Sequence, residues 1–495
     1  MLLSELLEGT GIAQPEENPD VRGLCHDSRL SREGFLFFCL RGAVSDGHDF
    51  APAAYTHGCR LFLAEHPLSL PDDAIILFSD NVRRDMAKIS ANFYCHPDRD
   101  IHLIGITGTK GKTSVAILTR RLLDDNGIPA GYIGTNGVQY AGRKEETHNT
   151  TPEAPELYRY LSEMRDAGVR VATIEVSSQA ILMQRVLGLT FRTCIFTNLS
   201  PDHIGPHEHP DFDNYRDCKR RLFHEFGAEN VIVNRDDPYA AYMTKGFGGR
   251  ILTVSAEPGA DYSGEDFSLL RDGSWMGIRF SVREKNGHTT GFRIPFPGRF
   301  SMYNAMTAVA AAELFGISPE ACAKVLATVS IPGRFELIET PDGASVIIDY
   351  AHNGVSLSSL LDALRAYHPN RLFCLFGSVG GRTRGRRREL AEAAGPRADL
   401  CILTSDNPDN EPPSQIIAEI AVSFPPGSCP YISIPDRAEA IREAIGRLRP
   451  GDILALVGKG HETYQLVAGQ YLPFSEHDIV AQAIRERSHV PAEKF

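Results

Sequence analysis

From about residue 99 to residue 331, short apolar runs alternate with stretches of helical spacing. Ile101–Ile106, Val171–Val176, Cys194–Thr197, Val231–Val233 and Ile251–Val254 read as buried strands, and their alternation with helices predicts an α/β domain around a mostly parallel sheet. A helix over Met302–Phe315, stopped by Gly316, closes it. Residues 1–98 read as a small mixed α/β domain with Gly34–Leu40 as a buried strand, and Cys95-His96-Pro97-Asp98 reads as a linker. A break at Ile331-Pro332-Gly333-Arg334 opens a third, Rossmann-like α/β series. There the strands Val346–Ile348, Leu372–Phe376, Leu400–Leu403 and Ile453–Val457 each run into a polar segment bearing glycine or proline, or both small and polar residues. Ligands of open α/β sheets bind beyond the carboxyl ends of the strands, so four such segments in phase mark a binding face. The expected fold is α/β in three domains: 1–98, a central phosphate-loop domain at 99–331, and 332–495.

The first central strand leads into Gly105-Ile106-Thr107-Gly108-Thr109-Lys110-Gly111-Lys112-Thr113-Ser114, followed by Val115, Leu118, Leu122 and Leu123 at helical spacing. Strand, glycine-rich turn and helix in this order hold a nucleoside triphosphate. Backbone N–H groups and the positive helix end surround phosphate oxygens, Lys112 reaches the outer phosphates and Thr113 offers a hydroxyl to Mg²⁺. The glycines at 105 and 108 depart from the standard Walker A spacing, which narrows the family.

Length and charge limit the alternatives. A chain of 495 residues is too long for one core. A net charge of −12 argues against general nucleic-acid or membrane binding and toward small-molecule substrates. Ten cysteines without a C-x-x-C pair fit reduced thiols. No signal-peptide pattern or membrane-length apolar run is visible, so a cytoplasmic protein, acting as a monomer, is expected.

Three stretches in the central domain suggest metal chemistry. Glu175 ends a buried strand, where an unpaired charge would be costly and Mg²⁺ would compensate it. Asn198–His207 follows the next strand and, with His209, presents histidines at 203, 207 and 209. Alone that cluster fits zinc, Mg²⁺ or a surface loop, and the neighbouring nucleotide loop favours Mg²⁺. The third stretch, Tyr215–Phe223, carries Lys219 on a helix, by default a solvated charge.

With Gly105–Ser114, further motifs occur in order along the whole chain: Asp27-Ser28-Arg29, Asp46-Gly47-His48, Thr150-Thr151-Pro152, Glu175-Val176-Ser177-Ser178, Asp202-His203, Lys219-x-x-Leu222-Phe223, Gly333-Arg334, Asp349-Tyr350-Ala351-His352, Asp406-Asn407-Pro408 and Gly458-Lys459-Gly460-His461-Glu462. In these the chain resembles the Mur ligases, ATP-dependent amide-forming enzymes of peptidoglycan precursor synthesis, and among them the MurE type. The resemblance implies a uridine-binding first domain that includes Ser28. It implies that Gly108, Thr109, Lys110, Gly111, Lys112, Thr113 and Ser114, with Asn304, Arg334 and Asp349, contact ATP. Thr113 and Glu175 would hold one Mg²⁺, and Glu175, His203 and Lys219 another, with Lys219 carrying a carbamate. Lys112, Glu175, His203 and Lys219 would form the catalytic set. Thr150, Thr151, Ser177 and Arg185 would hold the acceptor, UDP-N-acetylmuramoyl-L-alanyl-D-glutamate. The incoming amino acid would meet Arg382 at its α-carboxylate and Glu462 at its α-amino group, near Asp406, Asn407, Asp409 and Gly458. The implied reaction activates a carboxylate as an acyl phosphate, which an amine then attacks.

Asp409 bears on which amine. Family members that add meso-diaminopimelate carry arginine after Asp-Asn-Pro, whereas an acid attracts an ammonium. The expectation is L-lysine or a similar basic amino acid such as ornithine, unless Asp409 faces solvent. Gln179, Met183 and Gly381-Arg382-Thr383 also depart from the family pattern and raise a paralogue joining another amine to another carboxylate. The arginines at 384, 386, 387 and 388 exceed the need of one carboxylate and are either solvated or touch nucleotide phosphate. A folylpolyglutamate synthase-like ligase leaves the first domain and the Asp406 loop unexplained. A nucleotide-binding regulatory protein is the non-enzymatic alternative.

Overall fold

The structure, a computed structural model, describes residues 1–42, 45–202, 204–205, 208–272, 275–381 and 384–488. The chain divides into two units. One comprises Met1–Gly264 with Arg283–His288 and Tyr303–Cys322; the other comprises Glu265–Val282, Thr289–Met302 and the chain from Ala323 onward.

In the first unit, Gly23–Cys25, Phe35–Phe38, Leu61–Ala64 and Ile75–Phe78 form a parallel sheet in chain order. The helix Val82–Phe93 buries Val82, Met86 and Ile89, spaced four and three residues apart on one face. These side chains join Leu3 and Leu6 in the same core as Leu103, Ile133, Leu157 and Phe191. The segments expected as first and second domains are thus welded by one continuous apolar interior.

The larger, eleven-stranded sheet holds seven consecutive parallel strands, in the order Tyr262–Asp272, Arg250–Ser255, Asn230–Asn234, Thr193–Phe196, His102–Thr107, Val171–Glu175 and Ala130–Gly134. Gly137–Tyr140 and Arg143–Glu145 extend it antiparallel. The helix Lys112–Asp125 buries Val115, Leu118, Leu122 and Leu123, the stripe its spacing predicts.

The second unit has a sheet ordered Glu336–Glu339, Ser345–Asp349, Ile453–Val457, Leu372–Phe376, Leu400–Leu403 and Tyr431–Ser433. The first strand is antiparallel and the others parallel. The four strands expected from the sequence therefore share one carboxyl edge, where Asp349, Gly377, Thr404 and Gly458 emerge. The hairpin Tyr464–Val467 with Gln470–Pro473 is an addition the apolar pattern did not predict. So is the strand Trp275–Glu284, although its buried Met276, Ile278, Phe280 and Val282 alternate at period two. No described helix is long and apolar enough to cross a membrane.

Candidate active site

Strand pairing places the phosphate loop. Ile106 is registered with Glu175 on one side, and Thr107 with Phe196 on the other. The loop Gly108–Gly111 therefore leaves the sheet between Glu175 and the segment Thr197-Asn198. Thr109 N–H donates to the Asn198 carbonyl at 2.8 Å, Lys110 N–H to Asn198 Oδ1 at 2.9 Å, and Thr197 Oγ1 to the Lys110 carbonyl at 2.6 Å. Neither Thr197 nor Asn198 was anticipated as a loop clamp, although both lie in the polar stretch after a predicted strand.

Two glycines are required here. At Gly108 (φ +148°) a Cβ would stand 2.0 Å from Thr197 Oγ1, and at Gly111 (φ +86°) 2.7 Å from Asn304 Oδ1. The second approach brings Asn304, from the helix Gly298–Glu313, against the loop. Lys112 curls back, donating to the Gly108 and Thr109 carbonyls at 2.9 and 3.2 Å. Lys110 lies 3.3 Å from Asp202, and Thr109 Oγ1 donates to the Ser200 carbonyl at 3.1 Å. Ser114 follows in the first turn of the helix.

Glu175 is fully buried. Its Oε1 accepts from Tyr132 OH at 2.6 Å and Thr135 N–H at 3.0 Å, and its Oε2 from Thr113 Oγ1 at 2.9 Å and Thr135 Oγ1 at 3.2 Å. Its place at the end of a buried strand predicts an uncompensated charge in the absence of a metal. The structure corrects this, since four donors already satisfy the carboxylate.

Lys219, from the helix Phe212–Glu225, is not a solvated lysine. Its side chain is buried, donates to the Gly108 carbonyl at 3.0 Å and lies 4.5 Å from the centre of the Tyr215 ring. Burial, reinforced by the nearby Lys112 charge, holds its amine well below the usual lysine range. Buried His209 faces Asn214 Oδ1 at 2.7 Å and Ser178 Oγ at 2.9 Å, so both ring nitrogens are engaged within the fold. His203, like His207, lies outside the described residues.

The expected acceptor residues meet beside Glu175. Thr151 Oγ1 donates to the Glu175 carbonyl at 2.7 Å, and Ser177 Oγ caps the helix Ser178–Leu182. Thr150 Oγ1 lies 3.1 Å from Thr135 Oγ1. Arg185 donates to the Thr151 carbonyl at 3.2 Å and to Glu153 at 2.8 Å, while Arg83 holds the other Glu153 oxygen at 3.1 Å. Ser28 opens the short helix Ser28–Leu30, capped by Asp27.

In the second unit, Asp349 accepts from the N–H groups of Phe335 and Ala351 at 2.9 and 2.8 Å. Burial raises its carboxyl above the usual range against the pull of Arg334. Arg334 lies 5.1 Å from the centre of the Tyr350 ring. Lys459, which the sequence reading passed over, is fully buried and donates to Asn407 Oδ1 at 2.9 Å and Glu462 Oε2 at 2.8 Å. Asp406 is buried 3.9 Å from that amine, and burial raises its carboxyl while Lys459 opposes the shift. At Gly458 (φ +110°) a Cβ would stand 2.6 Å from Asp406 Oδ2. Asp406, Asn407, Gly458 and Glu462 thus gather around the Lys459 ammonium. Arg382 lies outside the described residues. Arg387 is neither solvated nor a phosphate contact, because it is buried between Glu411 and Glu419.

Asp409 is also differently employed. It sits at φ +51°, its N–H donates to the Leu466 carbonyl, and its Oδ1 accepts from Gly469 N–H at 2.9 Å across the hairpin turn. An aspartate suits both the left-handed backbone and the turn. Asp409→Ala is expected to lower stability by about 1 kcal/mol, the usual worth of such a cap, while Asp409→Asn is tolerated. Thermal unfolding of the two variants checks this.

A phosphate loop at a strand end, flanked by a buried carboxylate and a polar clamp, defines an α/β protein of the nucleoside-triphosphate-binding class. Family models match in order: the Mur ligase family catalytic domain at residues 20–93, the Mur ligase middle domain at 106–312 and the Mur ligase glutamate ligase domain at 333–460. A protein of Caldanaerobacter subterraneus subsp. tengcongensis, named UDP-N-acetylmuramoyl-L-alanyl-D-glutamate--2,6-diaminopimelate ligase, is 35% identical over 98% of this chain and 99% of its own length. A solved structure bearing the same enzyme name aligns over 97% of both chains with a TM-score of 0.65 and 28% identity. MurF from Acinetobacter baumannii shares the fold, with a TM-score of 0.67 and 17% identity over 97% of this chain and 98% of its own. The chain belongs to the Mur ligase family and is an ATP-dependent ligase.

Proposed function

We propose that this ligase joins 2,6-diaminopimelate to the D-glutamate carboxylate of UDP-N-acetylmuramoyl-L-alanyl-D-glutamate, through an acyl phosphate, in peptidoglycan precursor synthesis. The observation that carries the reading is the end-to-end similarity to a relative of that name. The lysine preference read from Asp409 finds no support there, and its physical premise is weakened because that carboxylate is committed to the hairpin turn.

The chain's own residues suit the steps. Thr150, Thr151, Ser177 and Arg185 orient the acceptor beside Glu175. Gly108–Ser114 and Asn304 receive ATP, and Lys112 neutralises charge on the transferred phosphoryl group. Arg334 and Asp349 are proposed as further contacts for ATP. Asn407 and Glu462, held by Lys459, take the amino acid's polar groups.

The hydroxyl of Thr113 and the carboxylate of Glu175, which meet beside the phosphate loop, are the hard oxygen donors that Mg²⁺ prefers. Thr113 and Glu175 would hold one ion, and Glu175, His203 and a carbamylated Lys219 another. Bound Mg²⁺ supplies charge stabilisation for phosphoryl transfer. The carbamate reading is supported by Lys219's burial without solvent to stabilise an ammonium.

Phosphate release measured with the UDP-linked dipeptide and each of diaminopimelate, lysine and ornithine tests the proposal. Stimulation by diaminopimelate alone is expected, and stimulation by lysine alone would overturn the substrate assignment. Asp409→Arg is expected to leave the order of preference unchanged.

A further inference from the structure

The sheet of the second unit carries a row of thiols unrelated to the ligase chemistry. Cys374 and Cys401 are register partners on adjacent parallel strands, and both are fully buried. Cys429 lies just before the edge strand Tyr431–Ser433, whose first residue is in turn the register partner of Cys401. Its Sγ is 3.5 Å from Cys401 Sγ, across 28 residues of sequence. Cys429 is partly exposed, whereas Cys401 is not.

We propose that Cys401 and Cys429 form a reversible oxidation site: a hydroperoxide converts the pair to a disulfide that staples the edge strand to the strand leading into Asp406 and Asn407. The geometry suits the reaction. Cys429 N–H is held by the Gly395 carbonyl at 2.9 Å and Cys401 N–H by the Pro430 carbonyl at 3.0 Å, so the backbones are already docked. A disulfide needs its sulfurs about 2 Å apart. Closing that gap moves the partly exposed Cys429, in the irregular segment between Gly427 and the edge strand, and leaves the sheet strand in place.

The division of labour follows from exposure. Cys429, the accessible thiol, loses its proton, and its thiolate attacks a peroxide oxygen. The O–O bond breaks, the leaving oxygen takes up a proton as water, and Cys429 becomes a sulfenic acid. Cys401 sulfur then attacks the Cys429 sulfur, forming S–S and breaking S–O. Its thiol proton leaves with the hydroxide as the second water. Two thiols and one hydrogen peroxide give one disulfide and two waters. The contact with Cys401 lowers the Cys429 pKa, which favours the accessible thiol as the attacking group.

The test uses the full chain, hydrogen peroxide as the oxidant and non-reducing peptide mass spectrometry. Cys95, the exposed cysteine, reports that oxidant has acted. A Cys401–Cys429 peptide pair two hydrogens lighter than the sum of its parts is expected, lost on dithiothreitol treatment and absent from C429S. The oxidised protein should unfold several degrees higher than the reduced one, because closing a long loop restricts the unfolded chain. C429S should show no such peroxide-dependent shift, and C374S should retain it. Full oxidation of Cys95 with Cys401 and Cys429 still free overturns the proposal. So does a link from Cys401 to Cys374, or a cross-linked protein that unfolds no higher than the reduced form.

Discussion

Glu175→Gln is expected to reduce ATP-dependent phosphate release by about a hundred- to a thousandfold, the range for losing one electrostatic group from a preorganised site. The change keeps volume but reverses hydrogen-bond character at one end of the side chain. Four donors, from Tyr132, Thr113 and the N–H and hydroxyl of Thr135, converge on the native carboxylate. An amide offers one oxygen, so at least one donor faces an NH₂ group in a fully buried pocket, which costs about 1–3 kcal/mol. The variant should therefore also unfold earlier. A Glu175→Gln protein with unaltered turnover would refute the assignment of this carboxylate to the catalytic set. Circular dichroism on the same preparation separates lost chemistry from lost fold.

Arg437→Met is expected to destabilise the second unit by about 3–5 kcal/mol, the cost of leaving one partner of a buried ion pair alone. Arg437 and Glu476 are both inaccessible to solvent and lie 2.8 Å apart. The guanidinium also donates to the Ser405 carbonyl at 3.1 Å and the Val457 carbonyl at 2.9 Å. Those carbonyls immediately precede Asp406 and Gly458, so one cation ties together the two loops proposed to hold the amino acid. Where the variant folds, KM for the amino acid should rise while KM for ATP changes little. Chemical denaturation and steady-state kinetics provide the two readings. A stability change within 1 kcal/mol of wild type would show that the pair is replaceable.

Much of this architecture was legible as short apolar runs. Leu372–Phe376, Leu400–Leu403 and Ile453–Val457 are strands at the expected bounds, because strands buried on both faces read as uninterrupted hydrophobic segments. The phosphate loop was equally plain, since glycine, lysine and threonine recur there for reasons of backbone geometry and charge. Lys459, Arg437 and Arg387 were not legible. A buried cation looks like a surface cation in one dimension, and only folding reveals that Glu462, Glu476 and Glu411 stand opposite. Asp409 failed for a related reason: its side chain answers a turn 60 residues away, which local pattern does not disclose. Lys219 was placed by family resemblance, while its spacing alone suggested a solvated face.

The bridge from Arg83 through Glu153 to Arg185 runs from the helix Val82–Phe93 to the backbone of Thr151. With the shared apolar interior, it makes the first ninety or so residues a structural floor for the loop that carries Thr151. A shortened protein beginning after that helix would therefore lose more than the segment proposed to bind uridine. It would bare a greasy flank, strip Glu153 of its Arg83 partner and forfeit the shape on which turnover depends.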